Sequence, residues 1–432
     1  MLFAHDHTSG PRGAAMKWSL DKFAQKFPHI EIKFRPQPNT YFETFAIQIA
    51  AGVQAEVALL GEMIGKFIEG DVWRQINGEL AKHPDFDPGN YYYMGDTHSA
   101  NLQDTLPQGH LDGLRGPMFG MPFQGNTNGN QTNVTMMEKA GVEWPTKGNW
   151  ALEGQFLDDL RKATDAEIGQ FGLRPNQSAW IQWAPWAWAL ADDPNLMYRD
   201  ADENRLTVFD SGGDRGLRLL TKMIHEDKVA HRLEDSKQLS GEFGDPFSAG
   251  KVMISINGGA VGSLVSRIKD RFSWSMAPMQ EGPRGAVPHE ITDQPHLITN
   301  TADTRGNVDE VVELLMFWSG PEVQGRIGVD RGSMPIRKDV IQSKEFHSGP
   351  PDRHDMWATY LHDQLDPRSR QFMHPDWAEW WSSFRDASDI MTGDVSVDEG
   401  IAQRQQKSDR ILKAAAEDYE GMKAHVRGLK GF

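Results

Sequence analysis

The stretch Phe119-Gly120-Met121-Pro122-Phe123-Gln124-Gly125-Asn126-Thr127-Asn128-Gly129, running on into Thr132-Asn133-Val134-Thr135-Met136-Met137-Glu138-Lys139-Ala140-Gly141, decides how this chain is organised. Three glycines and a proline stand within a few residues of three amides and a hydroxyl. Such a backbone must turn sharply, and the turn gathers neutral hydrogen-bonding side chains. The stretch reads as a hinge that also binds.

Working upstream, Leu2-Phe3-Ala4 is a short apolar strand, followed by a polar loop from His5 to Gly13. Ala14, Ala15, Trp18, Leu20 and Phe23 then recur at helical spacing up to Phe27-Pro28. Ile30 to Phe34 alternates as a strand, Phe42 to Ala51 reads as a helix stopped by Gly52, and Val57 to Leu60 is an all-apolar, parallel strand. This β-α-β-α-β beginning predicts an α/β lobe. Lys82 to Leu114 looks irregular. Downstream, Phe156 to Thr164 and Gly213 to Lys228 read as amphipathic helices, with a tryptophan cluster and a hairpin near Leu206 to Phe209 between them. Phe247 to Gly259 reads as a helix end, a turn, a strand and a glycine loop. Glu281 to Pro288 is a second linker, Val308 to Ser319 a helix, and Gly332-Ser333-Met334-Pro335 a third turn, with largely helical sequence beyond.

A chain of 432 residues is too long for one ordinary core and predicts at least two domains. The formal net charge of −16 argues against a nucleic-acid partner, which needs clustered Lys and Arg. No apolar run approaches the roughly twenty residues of a spanning helix, so the chain is not integral to a membrane. It has no cysteine, which removes disulfides, thiolate metal sites and thiol nucleophiles. The opening Met1 to Asp6 has neither the basic start nor the apolar core of a secretion signal. Either the protein is cytoplasmic or a leader has been removed from this sequence.

Motifs of catalysis fare poorly. Gly244 to Lys251 resembles a phosphate loop, but five residues separate Gly244 from Gly250 and Val252 stands where a metal-binding Ser or Thr is required. His5-Asp6-His7 is read as a polar loop rather than a metal fragment, because alternate strand residues point to opposite faces. There is no G-x-S-x-G elbow. The cluster Trp180-Ile181-Gln182-Trp183-Ala184-Pro185-Trp186-Ala187-Trp188 is more informative. Pro185 breaks or starts a helix, so the rings do not form one clean packed stripe, and Trp183 and Trp186 are expected to be exposed. Trp377, Trp380 and Trp381 have helical spacing and read first as packing, with ligand contact as the alternative.

The order of these motifs resembles the carbohydrate-type extracellular solute-binding proteins of bacterial ABC importers (family 1 solute-binding proteins). There the first lobe is followed by Tyr-Gly-Leu-Pro-Tyr, a glycine-containing crossover, and Tyr-Asn-Lys-Asp-Leu-Phe-Glu-Lys-Ala-Gly. Phe119-Gly120-Met121-Pro122-Phe123 and Thr132 to Gly141 stand in those places. Phe247 with Ala249-Gly250-Lys251-Val252-Met253, Asn257-Gly258-Gly259, Ala277-Pro278-Met279, Phe317-Trp318-Ser319-Gly320-Pro321-Glu322-Val323-Gln324 and Gly332-Ser333-Met334-Pro335-Ile336-Arg337 complete the series. Thr132 replaces an aromatic and Val134-Thr135 replaces Lys-Asp. Ala260 stands in a loop where a Trp is met in oligosaccharide-binding members, so one stacking platform is expected to be missing or moved.

The resemblance implies an α/β, two-lobed periplasmic-binding-protein-like fold with discontinuous lobes joined by hinge crossovers near 122–128, 286–296 and 330–336. The first lobe would span 1–122 and 293–331, the second 123–292 and 332–432. It further implies a non-catalytic, monomeric receptor without cofactor or metal, outside the cytoplasm in the periplasm or beyond. Such a receptor takes a sugar or oligosaccharide into the inter-lobe cleft and delivers it to the transmembrane subunits of a permease. The ligand residues implied are Asp6, His7, Ser9, Arg12, Asn39, Tyr41 and Glu62 from the first lobe, and Gln124, Asn126 and Asn128 from the crossover. Trp183, Trp186, Asn257 and Gly258 would come from the second lobe, with Asp293, His296, Arg331, Trp377 and Trp380 closing the cleft. Amides and carboxylates around aromatic rings suit hydroxyls and the C–H faces of a pyranose. The alternatives are a receptor for a glycerophosphodiester, polyamine or peptide, the phosphodiester resting on Arg12 and Arg331, or a glycoside hydrolase or lyase using two cleft carboxylates.

Overall fold

The computed structural model describes residues 1–6, 8–37, 42–59, 64–91, 117–146, 149–194, 196, 198–200, 204–258, 261–283, 285–286, 291–292, 295–352 and 374–429. Two five-stranded sheets organise it. The first is built from β1 (Leu2–His5), β2 (Lys33–Pro36), β3 (Val57–Leu59), β4 (Gly120–Met121) and, from much later in the chain, β14 (His296–Ile298), in the order β2-β1-β3-β14-β4. β1 runs parallel to β2 and β3, and β14 runs antiparallel to β3 and β4. The strand expected at Ile30 to Phe34 thus begins three residues later. Pairing with β1 sets it, through Leu2 opposite Lys33 and Phe3 opposite Phe34. Pro36 is tolerated at the strand's end because β2 is an edge.

Gly120 is required where β4 meets β14. A Cβ there would lie 1.9 Å from the carbonyl oxygen of His296, so no other residue lets the two strands approach. Both faces of this sheet are covered. Phe3, Val57, Met121 and Ile298 pack under the Gly10–Lys26 and Val308–Trp318 helices, while Ala58, Phe119 and Leu297 face Phe45, Ile64, Ile68 and Trp73.

The second sheet uses β5 (Asn126–Asn133), β6 (Phe171–Arg174), β9 (Val252–Gly258) and β10 (Trp274–Ala277) in the order β10-β5-β9-β6. Three small strand pairs complete the set: β7 (Arg199–Asp200) with β8 (Arg205–Leu206), β11 (Glu281–Gly282) with β12 (Gly285–Ala286), and β13 (Ile291–Thr292) with β5. The hairpin therefore precedes the position expected for it at Leu206 to Phe209. Its core gathers Phe156, Leu160, Trp183, Trp186, Leu217, Leu220, Ile254 and the Trp377–Phe384 helix.

The chain passes between these two bodies along segments that lie side by side. Asn126 and Thr127 pair with Thr292 and Ile291, and Gly125 exchanges hydrogen bonds with Met334 in both directions, at 2.8 and 3.1 Å. The three expected crossovers thus form one hydrogen-bonded ribbon. Side chains bind it further. Ser333 Oγ donates to Gly125 O at 2.7 Å, and buried Gln324 donates to Phe123 O and accepts from Ile336 N, reaching two crossovers at once. No helix among the described residues is long and apolar enough to cross a membrane.

Candidate functional site

The first-lobe loop that follows β1 sits against the third crossover. Ser9 precedes the Gly10–Lys26 helix in an extended conformation, with no side-chain cap, and remains exposed. Arg12 Nε donates to Gly332 O at 2.9 Å. Burial lowers the pKa of Arg12, and Asp6 opposes that shift. Asp6 Oδ1 also lies 3.3 Å from Nδ1 of buried His5. Across from this loop the Gly262–Ile268 helix begins, its first amide donating to Arg331 O at 2.7 Å. A Cβ on Gly262 would stand 2.9 Å from Pro11 Cγ and 2.7 Å from Asp330 O. This helix therefore meets the loop after β1 and the third crossover at backbone distance, and its Leu264 and Ile268 join the core cluster of Phe3, Met16 and Phe23.

On the second-lobe side, β5 and β9 place Asn128 opposite Gly258 and Gly129 opposite Asn257. Asn128 Nδ2 donates to Trp180 O, while Asn257 Oδ1 accepts from Gly258 N at 2.9 Å. Gln124 is buried in the crossover just ahead of them. Asp6, Ser9 and Arg12 thus form one group and Gln124, Asn128, Asn257 and Gly258 another, at the two sides of the crossover ribbon. His7, Asn39, Tyr41, Glu62 and Asp293 lie outside the described residues, as does the side chain of Asn126.

Four expectations require correction. Trp183 and Trp186 have no exposed surface at all. Trp183 stacks on Phe209 at 5.4 Å with an interplanar angle of 10°, and its Nε1 donates to Gln177 O at 3.1 Å. Trp186 meets Phe156 edge-on and donates to Gln280 Oε1 at 3.3 Å. The reason lies in Pro185. A π-helical turn, Ala179–Trp183, runs directly into the α-helix Ala184–Leu190, and the proline occupies the first turn of that helix, where its missing N–H costs nothing. The helical path continues, and every residue of Ala184–Leu190 is buried.

Arg331 is buried and spends its guanidinium on the carbonyls of Gly328, Ser348 and Pro350, at 2.6 to 2.9 Å, with burial lowering its pKa to about 10. It braces a turn. His296 is walled in by Phe123 and Trp318, at ring distances of 4.4 and 4.5 Å, and belongs to the first-lobe core.

The second tryptophan cluster is different in kind. Trp377 and Trp380 are buried, and Trp377 stacks on Trp381 at 6.0 Å. The rings continue through Phe384, Tyr198 and Trp188 on one side and through His374 and Tyr419 on the other. Arg199 lies over this array, its guanidinium carbon 4.5 Å from the Tyr419 ring and 5.8 Å from that of Trp380. Burial, and secondarily the charge of Arg199, lowers the His374 pKa to about 3, so the ring is neutral at ordinary pH. Its Nδ1 accepts from the Asp376 amide at 3.1 Å, which assigns the ring proton to Nε2. Among the described residues, the N–H groups of His374, Trp188, Trp377 and Trp380 are all buried without a hydrogen-bond acceptor. Leaving a buried donor unmatched costs about 1–3 kcal/mol, and four occur in one ring array.

Sequence reasoning missed Tyr198, Arg199, His374 and Tyr419. Trp188 stood inside a quoted cluster, but nothing local marks the others, which reach the array from three separate segments. The helical i, i+3 spacing of Trp377 and Trp380 was the available signal.

No curated protein matches this chain. Solved structures do, at low identity. The sugar-binding protein MalE from Xanthomonas citri is 18% identical, with a TM-score of 0.74 over 97% of this chain and 98% of that one. The GacH receptor of Streptomyces glaucescens GLA.O, solved unliganded and with acarbose, is 17% identical, with a TM-score of 0.69 over 96% and 98%. UgpB from Mycobacterium tuberculosis, in complex with glycerophosphocholine, is 15% identical, with a TM-score of 0.69 over 96% and 98%. These likenesses show a shared two-lobed fold. The family profile of bacterial extracellular solute-binding proteins matches residues 18–351. The crossover ribbon, the two sheets and that match lead to one conclusion: the chain belongs to the bacterial extracellular solute-binding proteins.

Proposed function

We propose that this chain is the capture component of an ABC importer, taking a sugar or oligosaccharide between its lobes by hinge closure and presenting it to the permease. It acts as a monomer, outside the cytoplasm, without turning its ligand over. The lobes exchange at the three crossovers, with 1–122 and 293–331 in the first and 123–292 and 332–432 in the second. The observation that carries the reading is the ring array with its four unmatched donors, His374, Trp188, Trp377 and Trp380. Hydroxyl oxygens accept from such N–H groups while pyranose C–H faces lie on indole rings, so opening this array to a carbohydrate satisfies both. Neutral groups at the crossover, Gln124, Asn126, Asn128, Asn257 and Gly258, and the loop with Asp6, His7, Ser9 and Arg12, supply the remaining polar contacts, joined by Asn39, Tyr41, Glu62 and Asp293.

The structures of MalE and of GacH with acarbose support a saccharide. The glycerophosphocholine of UgpB is the comparison for a phosphodiester. Arg12 and Arg331 do not favour that ligand here, because Arg12 donates to Gly332 O in the third crossover and Arg331 to the carbonyls of Gly328, Ser348 and Pro350.

Calorimetric titration against a panel of malto- and other oligosaccharides, with product analysis after prolonged incubation, tests the reading. Binding without turnover is expected, and turnover of a bound saccharide overturns it. Gly125→Pro removes the amide that donates to Met334 O and should weaken both closure, seen by small-angle scattering, and affinity. Gln124→Ala should weaken affinity alone.

A further inference from the structure

The last two helices of the chain belong to different cores. Val397–Ala414 places Ile411 and Leu412 in the second-lobe core. Ala416–Gly428 places Tyr419, Met422 and Val426, a helical stripe, against Phe45, Ile64, Ile68, Trp73 and Phe119 on the outer face of the first-lobe sheet. Between them Ala415, buried and at φ −93° and ψ 9°, is the break. The closing helix meets the first lobe closely elsewhere too. A Cβ on Gly421 would lie 2.5 Å from Glu69 Oε1, and His425 Nε2 is 3.8 Å from Asp71 Oδ1.

Tyr419 also reaches back toward the second lobe. Its hydroxyl accepts from Arg199 Nη2 at 3.2 Å, its ring lies 4.5 Å from the guanidinium carbon, and it stacks on His374 at 5.4 Å with an angle of 27°. Arg199 sits on the β7 hairpin, and His374 precedes the Trp377–Phe384 helix, both second-lobe elements. The covering of the first lobe is thus completed by residues that three crossovers would leave in the second.

We propose that Ala416–Gly428 is a strap carried by the first lobe: the chain crosses a fourth time at Ala415, and Tyr419 grips Arg199 and His374 to limit how far the lobes separate. The inference rests on the reading that the lobes open and close, but not on which solute they hold. A helix fixed to the first lobe yet covalently continuous with the second ties the two together. Opening must then either bend the chain at Ala415 or part Tyr419 from its two partners.

Two ligand-free measurements test this. Native-state hydrogen exchange of the full chain compares Phe45→Ala, in the first-lobe core, with Leu220→Ala, in the second. Exchange of the 416–428 amides should rise at least about a hundredfold in Phe45→Ala and much less in Leu220→Ala. A rise that follows Leu220→Ala, or is equal in both, overturns the assignment to the first lobe. Small-angle scattering then reads the grip: Arg199→Met should enlarge the radius of gyration of the ligand-free protein. Tyr419→Phe, which keeps the ring and loses only the hydroxyl, should do so to a smaller extent and serves alone if Arg199→Met does not fold. An unchanged radius in the folded variants overturns the grip. Because no solute enters either measurement, a failed saccharide titration leaves both outcomes readable.

Discussion

Two pairs of tryptophans, Trp183 with Trp186 and Trp377 with Trp380, are all buried, yet their N–H groups are treated differently. In the first, Trp183 and Trp186 each hand their N–H to a fixed acceptor, Gln177 O and Gln280 Oε1, and Gln280 Nε2 donates in turn to Asn130 Oδ1 at 3.1 Å. That chain of satisfied amides is a packed core and nothing more. In the second, Trp377 and Trp380 bury N–H groups that no group among the described residues accepts, beside a neutral His374 in the same condition. Burial alone therefore does not separate the two pairs; hydrogen-bond satisfaction does, and the proposed saccharide contact rests on that difference.

The largest test of this contrast is Trp183→Ala. It should cost about 3–5 kcal/mol of unfolding free energy, read by denaturant titration, because a fully packed indole leaves a cavity. Little change in stability would place Trp183 outside the core.

The next is pH. The folded pKa of His374 lies near 3, well below an unfolded value near 6.5. Above pH 6.5 both states are neutral and the group contributes no pH dependence. As pH falls through 6.5 the unfolded chain takes up a proton that the folded one refuses, so stability drops by about 1.4 kcal/mol per pH unit until the folded pKa is reached. Two units below 6.5, His374→Phe should have removed about 2–3 kcal/mol of this acid sensitivity. His5 and His231, also lowered by burial, contribute in the same direction.

The finest test applies one substitution to both clusters. Trp186→Phe and Trp380→Phe remove equal volume, but the first strands Gln280 Oε1 while the second discards a donor that had no partner. Trp186→Phe should be the more destabilising by about 1–2 kcal/mol, and equal losses would erase the distinction. Saccharide affinity should move the other way, falling only in Trp380→Phe.

How much of this was legible from the sequence follows from where the information sits. Gly120, Pro122 and Gly125 announce a sharp crossover because backbone constraint is local, and the same holds for the early β-α-β alternation. Pro185 misled because a proline that breaks a helix and one that begins a helix look alike until the preceding turn is known. The acceptors that decide the role of each tryptophan, Gln177 and Gln280, lie 6 and 94 residues from their indoles, beyond any periodicity. Arg199 and Tyr419 are 220 residues apart and were invisible as a pair for the same reason.

β14 enters the first sheet between β3 and β4, inside it rather than at an edge. Everything before His296 is therefore a sheet with one interior strand absent, in which β4 has nothing to pair with. The first lobe cannot complete itself until the entire second sheet has been made, although its opening strand is the first element of the chain. Assembly of the amino-terminal half is thus governed by residues near 300, and the rate at which they arrive sets how long the first lobe stays open.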